Sequence, residues 1–279
     1  MKKLLSLLIL CFSLSLVTGC TGNAEPSPSP SKDPSAAENG SPQFATFRIV
    51  SGAETGQLVL AKHEGTASEV YLLSLDTLEI KVSVSEPFRN GQLINVYFEE
   101  ILESYPLQFS GVTAVERSEW GFDDRCALYL KVLEDLWAVD PALSEDVEIL
   151  GVDLSQTSLT PAEQAAVGWV FASRHNAELA EGSLEELTEQ GWITATPLSI
   201  SGSGLDLNEP EHFFYEWKNG CHFSITEQPM EGSYSLTPVT FDAMKWRSSL
   251  GAYLFCDCTA LQSTQGEWSA YQIGAEAIS

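Results

Sequence analysis

The chain has 279 residues, with 14 lysines and arginines against 39 aspartates and glutamates, for a formal net charge of −25. So acidic a surface repels phosphate backbones and anionic lipid head groups, which argues against nucleic-acid binding and against docking of the body on a bilayer; it serves solubility and leaves room for cationic partners such as basic peptides, polyamines and calcium. The length suits one large or two small domains, and 44% hydrophobic residues are ample for a core.

Lys2 and Lys3 open the chain, and Leu4 to Val17 is an apolar stretch shorter than the roughly 20 residues that a transmembrane helix needs. It ends in Val17-Thr18-Gly19-Cys20, which resembles the cleavage site of bacterial lipoproteins. The resemblance implies that residues 1–19 are a signal peptide. Cys20 would then be the mature N-terminus, lipidated on its sulfur and its amine, so that the bilayer is a partner through this anchor alone. Everything beyond Cys20 is expected on the extracytoplasmic face of the cell membrane. Residues 20–42 follow as a Ser/Pro linker, with Pro26, Pro28, Pro30, Pro34 and Pro42 among serines. Proline removes backbone donors and serine stays hydrated, so this segment reads as a disordered tether. At roughly 3 Å per residue in polyproline form it would hold a body several tens of ångströms off the membrane.

Residues 43–118 carry short apolar runs at roughly ten-residue spacing, punctuated by Gly52, Gly56, Gly65 and Gly91. Strands are expected over 44–50, 57–62, 70–74, 78–84, 93–98 and 112–116, which together make a small all-β sandwich or barrel. The run from Phe88 to Phe98, then Glu103-Ser104-Tyr105-Pro106, then Gly111 to Val115, resembles the closing part of a small OB-like barrel domain found in uncharacterised Gram-positive lipoproteins. The likeness covers about 30 residues and implies a fold, with no activity attached.

Residues 119–279 change character. Leu130, Leu133 and Trp137 fall at helical spacing within 124–137. Thr160-Pro161-Ala162-Glu163 is a capping box with proline at the first helical position, opening a helix that should end near His175. Ser183-Leu184-Glu185-Glu186 repeats the cap for a short third helix that Gly191 ends. A strand over 147–152 and five more, at 213–217, 222–226, 237–241, 252–260 and 269–278, complete an α+β pattern. The expected architecture is an α+β domain with helices packed on a curved antiparallel sheet, in the manner of nuclear-transport-factor-like or cystatin-like folds.

Cys126, Cys221, Cys256 and Cys258 remain beyond the anchor. On a strand Cys256 and Cys258 share one face with Ala252, Leu254 and Ala260, which reads as buried thiols. A disulfide to Cys221 or Cys126, and a zinc site of Cys256, Cys258, Cys221 and His222, are the alternatives. The overall reading assigns no metal, no cofactor and no catalytic residue. His63-Glu64 lacks the second histidine of a zinc-protease helix, and there is no G-x-S-x-G elbow and no phosphate-binding glycine loop. The loop Asp206 to Glu211 alternates oxygen donors but lacks the glycine and distal glutamate of an EF-hand. Arg247, His222 and Trp217 are the candidate ligand-binding residues: a scarce cation, a candidate acid or base, and an aromatic of the cluster Phe213, Phe214, Tyr215 and Trp217. The expected function is a tethered non-catalytic module binding a small ligand or an envelope protein. The alternative is an envelope hydrolase using the concave face of the C-terminal sheet.

Overall fold

Four consecutive apolar residues, Leu58-Val59-Leu60-Ala61, leave their strand no polar face, and such a strand must be covered on both sides. The computed structural model describes residues 43–78, 86–119, 121–198, 213–228, 238–268 and 271–279. The strand expected over 78–84 lies almost wholly outside them, as do the loop Asp206 to Glu211 and His212. That apolar run forms β2 (Gln57–Lys62), which lies between β1 (Gln43–Ser51) and β3 (Val70–Ser74). The period of two sends Leu58, Leu60, Phe47, Ile49, Tyr71 and Leu73 into one core, and Val59, Ala61, Val50 and Val70 into another. That second core is shared with helices from residues 119–279, so the two segments that the sequence divides near residue 118 draw on one another for burial.

Further strands β4 (Leu93–Phe98), β5 (Glu100–Leu102), β6 (Leu107–Ser110) and β7 (Ala114–Arg117) complete a seven-stranded sheet in the order β5-β6-β3-β2-β1-β4-β7. β3 and β6 run parallel, and the other neighbours antiparallel. Among the described residues the path ends on two edge strands, so the ladders do not close into a barrel. What holds of the expected class is the coarser statement, a mostly-β body built on two mixed sheets.

The second sheet takes β8 (Ile149–Asp153), β9 (Glu178–Glu181), β10 (Thr194–Pro197), β11 (Phe213–Glu216), β12 (Gly220–Glu227) and β13 (Pro238–Ser248) in the order β10-β11-β13-β12-β8-β9. β14 (Gly251–Leu261) pairs with β13, and β15 (Ala275–Ile278) with β14. The expected antiparallel sheet is corrected here. β12, β8 and β9 are parallel, the β8–β9 pair because α2 (Pro161–Arg174) carries the chain from the end of β8 back to the start of β9.

α2 is buried between the sheets, packing on β1, β2 and β3 on one side and on β8 and β9 on the other. Its near-continuous small and apolar surface, Ala162, Ala165, Ala166, Val167, Gly168, Val170 and Phe171, suits a helix without a solvent stripe. The capping box at Thr160 is formed, with Glu163 N–H donating to Thr160 Oγ1 at 3.3 Å and Thr160 N–H to Glu163 Oε2 at 2.9 Å. α3 (Leu184–Glu189) is capped in the same way by Ser183 and Glu186. It covers the opposite face of the sheet, where Leu187, Ile193, Ile149, Ala180 and Trp217 form a third apolar cluster.

α1 (Arg125–Ala138) has no basic residue in its last turn. The cation comes from β13 instead: Lys245, fully buried, donates to the carbonyls of Trp137, Val139 and Asp140 at 3.2, 2.7 and 3.1 Å. Those carbonyls have no partner within the helix, and the negative end of its dipole favours a cation there.

The shared face expected for the cysteine pair is also corrected. β13 pairs Phe241 with Cys258 but Ala243 with Phe255, so a bulge falls at Cys256-Asp257. Asp257 sits at φ 52°, with its N–H donated to Asp242 Oδ1 at 2.8 Å. The extra residue turns Phe255 and Cys258 inward and leaves Cys256 half-buried. All four thiols are free, and burial pushes those of Cys221 and Cys258 up to about 12.

Across the joint between the segments, Arg48 of β1 meets Glu163 of α2, Nε to Oε1 at 2.6 Å, with side-chain exposures of 10% and 12%. Arg48 Nη1 also donates to the carbonyls of Gly91, Gly121 and Asp123 at 2.9, 2.9 and 3.2 Å. Removing one partner of such a pair strands a buried charge at a cost of about 3–5 kcal/mol. Glu163→Ala is expected to lower the unfolding free energy by about that much, measured by urea denaturation, with Arg48→Met on the Glu163→Ala background recovering part of it. A loss below about 1 kcal/mol would place the pair among weak surface bridges.

Candidate functional site

The three residues singled out from the sequence do not converge on a ligand surface. Trp217 and His222 are each 1% exposed, and they meet beneath α3. A β-carbon at Gly151 would stand 2.7 Å from the Trp217 ring and 2.9 Å from the His222 ring, and one at Gly220 would stand 2.0 Å from Trp217. Glycine at both positions is what lets the indole lie flat on the backbone. The indole N–H of Trp217 has no partner among the described residues. His222 Nε2 lies 3.0 Å from the carbonyl of Gly182, which can only accept, so Nε2 carries the proton and Nδ1 is left an unpaired acceptor. Burial lowers the His222 pKa, opposed by the bond to Gly182 and the charge of Asp153. Arg247 uses its guanidinium on backbone carbonyls, Nη1 to Leu143 and Glu145 at 3.3 and 2.5 Å and Nη2 to Lys218 at 2.6 Å. Together with Lys245 it holds the connection from α1 to β8.

Of the aromatic cluster, Tyr215 joins Trp246, Leu184 and Ile193 in a groove of about 530 Å³ beside α3, rimmed by Glu185 and Glu189. The alternative zinc set is not assembled. His222 is committed to Gly182, the bulge separates Cys256 from Cys258, and among the described residues no three His, Cys, Asp or Glu side chains are grouped to hold a metal.

Parallel β8 and β9 end on the same side, and the residues just past parallel strands are the usual ligand crevice of such sheets. Asp153 closes β8 and Glu181 closes β9, and Gly182, at φ 130°, turns the chain into α3. Between them and the first turns of α2 is a cavity of about 280 Å³. Its polar lining is the carboxylates Asp153, Glu181 and Glu186, the amides of Gln164 and Gln190, and the hydroxyls of Ser68 and Ser155, with no basic side chain among the lining residues. Two of the carboxylates are partly engaged, Asp153 by the N–H of Ser155 at 2.9 Å and Glu186 by the N–H of Ser183 at 2.8 Å. Glu181 has neither hydrogen bond nor ion pair among the described residues, and burial raises its pKa above the ordinary 4.5. The exposed Tyr105 feels its charge. Glu181 lies exposed at the open rim of the crevice, and a carboxylate there without a counter-ion, flanked by two more, is a receptor for a compact cation bearing N–H donors.

Sequence reasoning missed Glu181, because β9 is only four residues long and its place beside β8 depends on the α2 crossover. His222 does reach this site, one layer down, through Gly182. No family model matches the chain, and neither a curated protein nor a solved structure is recognisably similar to it.

The buried neutral histidine makes a signed prediction. Its folded pKa is depressed, so its share of stability is present above the unfolded value of about 6.5 and is lost as pH falls through the folded value. Replacing it removes that titration. The stability gap between wild type and His222→Phe, from urea unfolding, is expected to narrow by roughly 1 kcal/mol or more from pH 7 to pH 5, and a pH-independent gap would contradict a buried neutral ring.

Proposed function

We propose that this protein is a lipoprotein held by lipid on Cys20 at the extracytoplasmic face of the cell membrane, and that its folded body is a non-catalytic binding module for a small amine-bearing ligand. The anchor rests on the order of Lys2-Lys3, an apolar stretch, Val17-Thr18-Gly19-Cys20 and a Ser/Pro tether. Among the described residues no helix is long and apolar enough to cross a membrane. The observation that carries the binding reading is the uncompensated Glu181 carboxylate in the crevice between Asp153 and Glu186. The hydrolase alternative would call on His222 as a base, and its commitment to Gly182 beneath α3 favours binding instead.

We also read the N-terminal sheet as a partly open, OB-like arrangement. Support comes from the parallel pairing of β3 with β6, and from β4 running through Glu99, whose N–H is donated to Ser110 at 3.1 Å, into β5. The strand beside β1 thereby continues as the strand beside β6, with the seam at Glu99.

Cys20→Ala is expected to move the protein out of the membrane fraction or to stall its processing, since acyl chains contribute about 0.8 kcal/mol per buried CH₂ and the body is anionic. Normal processing with tight membrane retention would refute the anchor. For the ligand, putrescine is a suitable compact diamine, titrated calorimetrically into the full-length protein in detergent. Glu181→Gln is expected to weaken binding about tenfold. Affinity in the wild type should decline as pH falls toward the raised Glu181 pKa, because protonation removes the negative charge before an ordinary carboxylate would lose it. Absence of binding, or binding indifferent to Glu181→Gln, would remove this reading.

A further inference from the structure

The turn after β8 borders two cavities. Asp153, Leu154 and Ser155 line the crevice, while Gln156, Thr157 and Ser158 line a second, open groove of about 600 Å³. Its other walls come from the start of α1, the end of β12, β13, and the residues following β14, so five separate stretches of chain converge on it.

The floor and one wall of this groove are fixed. Glu227 Oε1 accepts from Tyr129 Oη at 2.5 Å and from the N–H and hydroxyl of Ser158 at 2.8 and 2.7 Å. The Arg125 guanidinium stands 3.9 Å from the same carboxylate oxygen, hydrogen-bonds the Ser158 hydroxyl, and lies over the Trp268 ring at 4.4 Å. Trp268 is held in turn, its indole N–H donated to Asp123 Oδ1 at 2.8 Å and its backbone N–H to Asp124 Oδ1 at 2.7 Å. Locked side chains cost little further ordering when a ligand arrives.

The remaining polar groups of the groove are underused. The carboxamide NH₂ groups of Gln156, Gln228 and Gln262 make only contacts of 3.5, 3.2 and 3.4 Å, to Ser155, Asp242 and Gly266. Among the described residues none of the three amide oxygens accepts a hydrogen bond, and the buried Arg125 Nε has no partner. Each carboxamide both donates and accepts, which is the complement of a hydroxyl that also does both. Arg125 and Glu227 neutralise one another at the floor, so nothing here selects for net charge. The volume falls inside the roughly 300–1,000 Å³ of small-ligand sites, and Pro238 and Val239 supply an apolar strip for the C–H face of a ring. We propose that this groove binds a neutral saccharide of one or two rings, through the carboxamides of Gln156, Gln228 and Gln262 against the Arg125–Trp268 stack.

The test uses the full-length protein in a non-glycosidic detergent, labelled with ¹⁵N at glutamine side chains and tryptophan indoles, titrated with diacetylchitobiose, with maltose and with triglycine. At least one disaccharide is expected to shift glutamine amide signals and the Trp268 indole signal, assigned through Trp268→Phe, in a saturable manner. The double variant Gln156→Leu with Gln262→Leu, the first on an exposed and the second on a half-buried side chain, both with weak existing bonds, is expected to bind it about tenfold more weakly with an unchanged melting temperature. The inference is overturned if neither disaccharide shifts these signals at about 10 mM, tenfold above a Kd of about 1 mM. It is equally overturned if the double variant binds as well as the wild type, or if triglycine alone produces the shifts, which would make the groove a peptide site.

Discussion

The buried contact between Arg48 and Glu163 is the constraint on which the rest of the fold depends. A charged pair taken out of water gains little net energy unless its remaining donors and acceptors are also satisfied. Here they are: the guanidinium also gathers the carbonyls of Gly91, Gly121 and Asp123, and the carboxylate closes the cap of α2 with Thr160. One side chain therefore fixes three connections at once: the turn before β4, the link from β7 to α1, and the start of α2. Because α2 is the layer between the two sheets, its position sets how Val50, Val59, Ala61 and Val70 find cover. The pair acts as a register device more than as a source of stability.

What could be read from the sequence was whatever depends on neighbours in the chain. The capping boxes at Thr160 and Ser183 need only four consecutive residues, and both formed at the expected positions. The short apolar runs of β2 and β3 were legible as strands for the same reason. The two-sided burial was not, since it depends on α2, whose residues lie some hundred positions later. The bulge at Cys256-Asp257 escaped the simple period-two argument because it is held by Asp242 across the ladder. Lys245 gave no hint of its role, because the helix end it caps belongs to residues 137–140.

The parallel course of β12, β8 and β9 decides where a ligand can sit, and it is the feature that local pattern reports least. An antiparallel meander would have scattered Asp153 and Glu181 to opposite ends of the sheet. The α2 crossover brings both to one end, and Gly182 then places α3 and the Glu186 carboxylate beside them. His222, on β12 next to β8, ends beneath this crevice with its proton fixed on Gly182. The sequence reading of His222 as a ligand-facing group failed because Gly151 and Gly220 admit the Trp217 indole so closely that the whole layer is sealed under α3.

The distribution of the few cations completes the electrostatic argument. With 14 lysines and arginines against 39 acids, every cation drawn inside leaves the exterior more negative than composition alone suggests. Lys245 caps α1, Arg48 sits at the joint, and Arg247 braces three loop carbonyls. The crevice at Asp153, Glu181 and Glu186 therefore opens in an anionic body with no basic side chain of its own lining. At physiological ionic strength such a field is screened over about 8 Å, so it acts as a filter at the mouth of the crevice and not as a long-range attraction. The same screening means that repulsion from anionic head groups falls off within a few solvent layers of the bilayer. With the proposed anchor at Cys20, the separation of body from membrane then rests on the length of the Ser/Pro segment.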